Sequence, residues 1–342
     1  MSRPRSQRVT VRDLAAETGV SIATVSRVLN NQAHVAPHTR DLVQRAVERL
    51  STQAPGPGTF SAHVAHGSVY LRCPYLLTDY FGLIVSSIAE TLEMHGRPLV
   101  LNAGEAAQQA AILPTLASRP GIGGAIIVLP PEPSEQLLDL RARGFPFVVV
   151  DPRAPMPRDI AAVSAAHLAG ARSVTRHLVG LGHRRIGVIA GPHNWLASEA
   201  RLAGHRSALA DVGVLPDPEL VRSGEATTQF GYHAAGELLD LPQRPTALVG
   251  FNDKVASGAL AAAAQRGLCV PEELSITGFD DIDLAQASRP QLTTVRQPLQ
   301  EMGRIAVSLL IRLMERQRLE ALHVELAAEL VVRDSSGPAP PG

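Results

Sequence analysis

Apolar positions in the first fifty residues fall into three short clusters at helical spacing. Leu14 and Ala15 point one way from a helix over about 11–18, where Thr10 and Asp13 resemble a capping pair. Gly19 is a natural turn residue, and Ser21 can cap a second helix that carries Val25, Val28 and Leu29 inward. Pro37 suits the first turn of a third helix, whose apolar stripe is Leu42, Val43, Ala46, Val47 and Leu50. The periodicity then stops. Pro55-Gly56-Pro57-Gly58, inside the stretch Thr52 to Thr59, opposes any regular helix and reads as a linker.

From Ser68 the pattern changes. Short β-rich runs at 68–72, 98–102, 124–129, 145–150, 185–190, 246–251 and 274–279 alternate with amphipathic stretches at 82–95, 165–180, 198–212, 230–240 and 254–267. Such alternation predicts parallel sheets covered on both faces, and its length suits two doubly wound lobes better than one sheet. The expected fold is therefore an all-α head on an α/β core of two lobes. The boundaries read as a head at 1–51, a linker at 52–67, a two-lobed body at 68–334 and a Ser/Gly/Pro tail at 335–342 with the composition of disorder.

Composition sharpens this outline. Of 342 residues, 45% are apolar, 19% charged and only 4% aromatic, which suits a globular protein and argues against a ring-lined platform for single-stranded nucleic acid. No apolar run reaches the roughly 18 residues that cross a bilayer. The charged start shows no apolar signal segment, and two cysteines, Cys73 and Cys269, make no disulfide framework, so a reducing cytoplasm is expected. Formal charge sums to zero, yet Arg3, Arg5, Arg8, Arg12, Arg27, Arg40, Arg45 and Arg49 face only Asp13, Glu17, Asp41 and Glu48 in the first fifty residues. A basic head on an acidic body suits a polyanionic partner that touches the head.

Two short helices joined by a Gly-containing turn, in a basic segment, fit a helix-turn-helix that reads the DNA major groove. The run from Val9 to Asn30, with Val35 to Leu50 behind it, resembles the N-terminal signature of the lactose-repressor (LacI/GalR) family. The resemblance implies that Ile22 and Ala23 read base edges by apolar contact and that Arg27 pairs with guanine. It further implies that Ser21, Thr24, Ser26 and Asn30 hold phosphates and fix register.

The resemblance continues through Ala171–Gly204, Phe251-Asn252-Asp253, Ser275–Asp281 and Leu292–Pro298. It implies a periplasmic-binding-protein-like (type I) core: two lobes, three chain crossings and a small-molecule effector in the cleft between them. Ligands of open α/β sheets sit beyond the carboxyl ends of strands, where Asp151, Asn252 and Asp280 stand and where Asp79, Tyr80 and Phe81 follow the first strand. Trp195 and Arg201 join them by family resemblance. Carboxylates, an amide, a guanidinium and flat rings suit a sugar or related polyol. Duller roles stay open: Asp151 and Asp280 also suit turn or helix caps, Trp195 core packing, and Arg201 a carboxylate of its own lobe.

An enzyme is the first rival, but no metal-ligand spacing, complete dinucleotide or P-loop motif, or nucleophile elbow stands in the chain, so no cofactor or metal is expected. A two-lobed sugar-binding protein without DNA function is the second; the basic head argues against it. The expectation is a transcriptional regulator, a repressor by resemblance, acting as a homodimer on a palindromic operator. No leucine heptads follow Val332, so no tetramer-forming tail is expected. The linker departs from the family pattern of a short hinge helix with a leucine wedge, which predicts weaker or differently bent DNA.

Overall fold

The computed structural model describes residues 15, 17–21, 24, 25, 28, 36, 38–43, 46, 67–104, 107, 108 and 111–341. The chain divides into two compact units, 1–62 and 63–342. In the first, Val25, Val28, Val43 and Ala46 form a buried cluster with Ala15 and Val20 packed against it. The three apolar clusters of the sequence thus meet in one small core. Gly19 turns the chain at φ +68°, where an L side chain is strained. Ser21 caps the following turn, its Oγ accepting from the Thr24 amide at 3.2 Å. The linker at 52–66 lies outside the described residues.

The second unit has two lobes. In the first lobe, β1 (Ser68–Cys73), β2 (Leu99–Ala103), β3 (Ile122–Val128), β4 (Phe147–Val150), β5 (Ala161–Ala165) and β11 (His323–Leu326) form a parallel sheet in the order β11-β5-β4-β3-β1-β2. Alternate residues face opposite ways, as the pleat demands. Val69, Leu71, Ile126 and Val148 pack on α1 (Asp79–Met94) and α7 (Leu299–Met314), whereas Tyr70, Ile127 and Val149 pack with α2 (Ser134–Ala142). Both faces are buried, which explains the near-continuous apolar runs.

The second lobe repeats the scheme with β6 (Ile186–Ala190), β7 (Val221–Ser223), β8 (Ala247–Gly250) and β9 (Ser275–Thr277) in the order β7-β6-β8-β9. One face carries α5 (Thr228–Leu239) and α6 (Asp253–Gln265), the other α3 (His167–Gly180) and α4 (Leu196–Ala210). Glycines let these helix pairs touch. A Cβ at Gly204 would stand 2.2 Å from the Leu168 carbonyl oxygen, and one at Gly258 2.1 Å from that of Thr228.

The chain passes between the lobes at 166, at 297–298 and at 327–328, returning α7 and β11 to the first lobe and β12 (Glu329–Val331) to an antiparallel pair with β10 (Thr294–Arg296) in the second. The three crossings implied by the family resemblance are present. The tail corrects the expectation of disorder. Ser335 is buried, its backbone exchanges hydrogen bonds with Ile276 and Gln291, and Ala339 donates to Leu181 at 2.8 Å. Composition alone missed this because the segment is held through the non-proline residues Ser335, Ser336, Gly337 and Ala339, whose backbone and hydroxyl groups remain free to pair between the prolines.

No helix among the described residues is long and apolar enough to cross a membrane.

Candidate functional site

Strand ends set the site. β4 delivers Asp151 at φ +52°, β9 leads through Phe279 to Asp280 at φ +116°, and β8 leads through Phe251 to Asn252, which caps α6. From the first lobe, Thr78, Tyr80 and Phe81 approach at the start of α1; from the second, Trp195 and Arg201 sit on the N-terminal turns of α4. Together with Leu129, Ala226 and Lys254 they line a cleft between the lobes with a cavity volume of about 140 Å³.

A continuous polar chain runs along the cleft floor. Tyr80 Oη donates to Asp151 Oδ2 at 2.8 Å, and His167 Nε2 meets Asp151 Oδ1 at 2.7 Å. The other imidazole nitrogen, Nδ1, lies 3.3 Å from Arg201 Nη2, a donor only. His167 thus bridges the Asp151 carboxylate of the first lobe and the Arg201 guanidinium of the second. Arg201 donates to the Phe251 carbonyl oxygen at 2.6 Å and lies 3.8 Å from Asp280 Oδ1, which in turn accepts from Gln297 Nε2 at 2.6 Å. The guanidinium sits 4.4 Å from the Phe251 ring centroid and 3.7 Å from that of Phe279. A planar cation held over two rings is a role that lysine fills poorly.

The electrostatics follow from burial. Burial pushes Asp280 up to about 6, and the Arg201 guanidinium and the Gln297 amide offset only part of that rise. For Asp151 burial acts the same way, but His167, Tyr80 and Arg201 outweigh it and hold the carboxyl below its ordinary value. Tyr80 is driven far above the usual phenol range by burial and by the Asp151 charge. Asp253, wholly buried behind Asp280, is also raised by burial and by that neighbour; its carboxyl accepts from Thr294 Oγ1 at 2.5 Å and the Ile282 amide at 3.0 Å. Two carboxyl groups whose proton affinities are shifted in opposite directions thus stand near one guanidinium.

Trp195 bridges the lobes. Its ring meets Phe251 edge-on at 6.1 Å and lies under Arg153, 5.2 Å away, while the Leu196 amide donates to the Arg153 carbonyl at 2.7 Å.

Of the expected cleft residues, Tyr80, Phe81, Asp151, Trp195, Arg201, Asn252 and Asp280 line the space. Two of the duller roles hold alongside this: Trp195 packs against the apolar cores of both lobes, and Arg201 faces a carboxylate of its own lobe. Asn252, for which no such role was expected, also caps α6 through the Val255 amide. Asp79 does not line the cleft. It faces outward at the mouth, 3.3 Å from Nζ of Lys254, the only lysine of the chain, because the first residue of α1 points away from the side taken by Tyr80 and Phe81. Sequence reasoning missed His167, Gln297, Arg153 and Lys254. His167 and Gln297 stand at chain crossings, a position no periodicity marks. Of the expected DNA contacts, Ser21 and Thr24 are joined at 2.9 Å through their hydroxyls; Ile22, Ala23, Ser26, Arg27 and Asn30 lie outside the described residues.

Comparison with known proteins places these features. Residues 10–51 match the pattern described as bacterial regulatory proteins, lacI family, and residues 175–336 that of a periplasmic binding protein-like domain. The chain is 32% identical over 342 residues to the HTH-type transcriptional repressor CytR of Escherichia coli (strain K12), with 99% of each chain covered. Among solved structures, the transcriptional regulator CelR–cellobiose complex is 30% identical with a TM-score of 0.72, covering 96% of this chain and 100% of that one. The lac repressor dimer bound to operator and the anti-inducer ONPF is 27% identical with a TM-score of 0.73, covering 97% and 100%. With a helix-turn-helix head, a two-lobed body and full-length likeness to such regulators, the chain belongs to the LacI family of bacterial transcriptional regulators.

Proposed function

We propose that this regulator is a cytoplasmic repressor that recognises a palindromic operator as a homodimer and responds to a sugar held between its lobes. The observation that carries the sugar reading is the cleft's mixture of Asp151, Asp280 and Arg201 with the rings of Phe81 and Trp195. Hydroxyl groups donate to carboxylates and accept from a guanidinium, and a ring covers the apolar face of a pyranose. The cellobiose held by the CelR relative supports the same class. Ser21, Ile22, Ala23, Thr24, Ser26, Arg27 and Asn30 contact the operator in this reading, and Tyr80, Phe81, Asp151, Trp195, Arg201, Asn252 and Asp280 the effector. Self-association is supported by Leu76, Leu77, Leu83, Val100 and Leu101, which are exposed on the approach to α1, on α1 itself and on edge strand β2.

Calorimetric titration with cellobiose, other sugars and metabolites of other classes tests the reading. Because Trp195 is the only tryptophan, its emission reports directly on the cleft. A sugar is expected to give heat and shift that emission. Heat from a different metabolite class alone would overturn the sugar assignment.

A further inference from the structure

All strands of the first-lobe sheet are parallel, so their amino ends share one rim. Arginine collects there. Arg119 precedes β3, Arg158 precedes β5, and Arg312, Arg316 and Arg318 lie between the last turn of α7 and β11. None of these five has a carboxylate partner among the described residues, whereas Arg97, Arg141 and Arg143 pair with Glu315, Asp159 and Asp139. With Glu93 and Glu320 nearby, the rim carries a surplus of three positive charges in a chain whose formal charge is zero. Basic residues in the last turn of a helix complement its dipole, and Arg312 has that role. Arg119, Arg158, Arg316 and Arg318 lie outside any helix, so the dipole does not explain them. Arg158, Arg316 and Arg318 are also exposed, and no carboxylate or hydrogen-bond acceptor holds them among the described residues.

Chain connectivity points to the partner. Ser68 starts β1 at this same rim, its amide donating to the Gly121 carbonyl at 2.7 Å, and the chain before it runs back to the head through residues 52–66. Fifteen residues span at most roughly 50 Å when extended. The rim is therefore tethered within reach of the duplex that the head holds.

We propose that the arginine rim of the first lobe is a second, sequence-independent contact surface for the DNA backbone flanking the operator. This rests on operator binding by the head, and adds a phosphate contact made by the body. Each phosphate neutralised releases counterions and steepens the salt dependence of binding by about 0.9 in log–log slope.

The test uses the full-length protein and a duplex selected from a random pool, prepared as a ~20-bp core and with flanks extended to ~60 bp. Wild type is expected to bind the long duplex several-fold more tightly, with a salt slope steeper by about 2 to 3. The variant R158A/R316A/R318A is expected to lose that difference and bind the short duplex as wild type does. Its melting temperature and its Trp195 response to sugar should be unchanged. Equal affinity and slope of wild type on both duplexes would overturn the proposal while leaving operator binding by the head intact. Retention of the long-duplex advantage by the triple variant would overturn it too. Absence of binding to either duplex would overturn both.

Discussion

His167, at the start of α3 in the second lobe, is hydrogen-bonded to Asp151, at the end of β4 in the first, with Nε2 and Oδ1 2.7 Å apart. Both side chains are buried, so removing one leaves the other short of a partner it cannot replace with water. His167→Ala deprives Asp151 of one donor and Arg201 of one acceptor. The expected outcome is a loss of about 1–3 kcal/mol in stability by denaturant melting. Effector affinity should fall with it, and His167→Gln, which can still donate and accept, should recover part of both. A variant to Ala that retains wild-type stability and affinity would show that the pair does not couple the lobes.

Arg201 makes the most demanding contacts of the cleft: a hydrogen bond to Phe251, an approach to Asp280 and two ring faces at 4.4 and 3.7 Å. Arg201→Lys keeps the charge but not the plane or the fork of donors. Effector affinity measured by calorimetry should drop by about 10- to 100-fold, in line with about 1.5–3 kcal/mol for a hydrogen bond to a charged group. If Lys binds as well as Arg, simple charge suffices and the stacked geometry is incidental.

The polar ends of strands were the legible part of this site. Asp151 and Asp280 each close an apolar β-rich run, and a polar residue there has few places to go except the cleft. His167 was not legible: Ala165-Ala166-His167 has no periodic signature, and its importance comes from the chain changing lobes beside it. The fold shows the same divide. Local periodicity marked α1, α3, α4, α5 and α6, but the sequence reading passes over Leu299–Met314, although Met302, Ala306 and Leu310 form a buried stripe there. Its partner surface, α1 and the first-lobe sheet, lies some two hundred residues earlier in the chain, and only the tertiary fold reveals that return.

His205 supplies a pH dependence away from the cleft. Burial between α3 and α4, with the charge of Arg206 adding to it, pushes the imidazole from its usual 6.5 to about 4, and Nδ1 lies 3.1 Å from Thr175 Oγ1. Between these two values the unfolded chain takes up a proton that the folded chain refuses. The stability contributed is present above pH 6.5 and declines as pH falls toward about 4, by up to roughly 3 kcal/mol. Asp280, raised to about 6, works the opposite way, gaining stability as pH falls through that value toward the unfolded carboxyl. The two slopes partly cancel in wild type. His205→Gln should remove one of them, so that its stability rises relative to wild type between pH 6.5 and 4. Parallel melting curves for the two proteins across that range would refute the assignment.

The C-terminal segment makes the last prediction. Ser335 Oγ donates to the Ile276 carbonyl at 2.5 Å and accepts from the Thr293 amide at 2.9 Å, while its backbone accepts from Ile276 and donates to Gln291. Gly337 and Ser336 continue the attachment, the Gly337 amide donating to Ser275 Oγ and the Ser336 hydroxyl reaching Thr293 Oγ1 at 2.8 Å. The segment thus covers β9 and the stretch Gln291–Thr293 that runs into β10, next to Asp253 behind the cleft. Removing residues 335–342 leaves the Ile276 amide and the Thr293 amide without their acceptors, at about 1–3 kcal/mol for each buried group left unpaired. The truncated chain is expected to melt several degrees lower, whereas deletion of the last residues alone, 340–342, should change little. The single substitution Ser335→Ala removes only the hydroxyl bonds and should fall between the two. Equal melting temperatures for full-length and 335-truncated protein would mean that this ordered tail contributes nothing to the lobe that it covers.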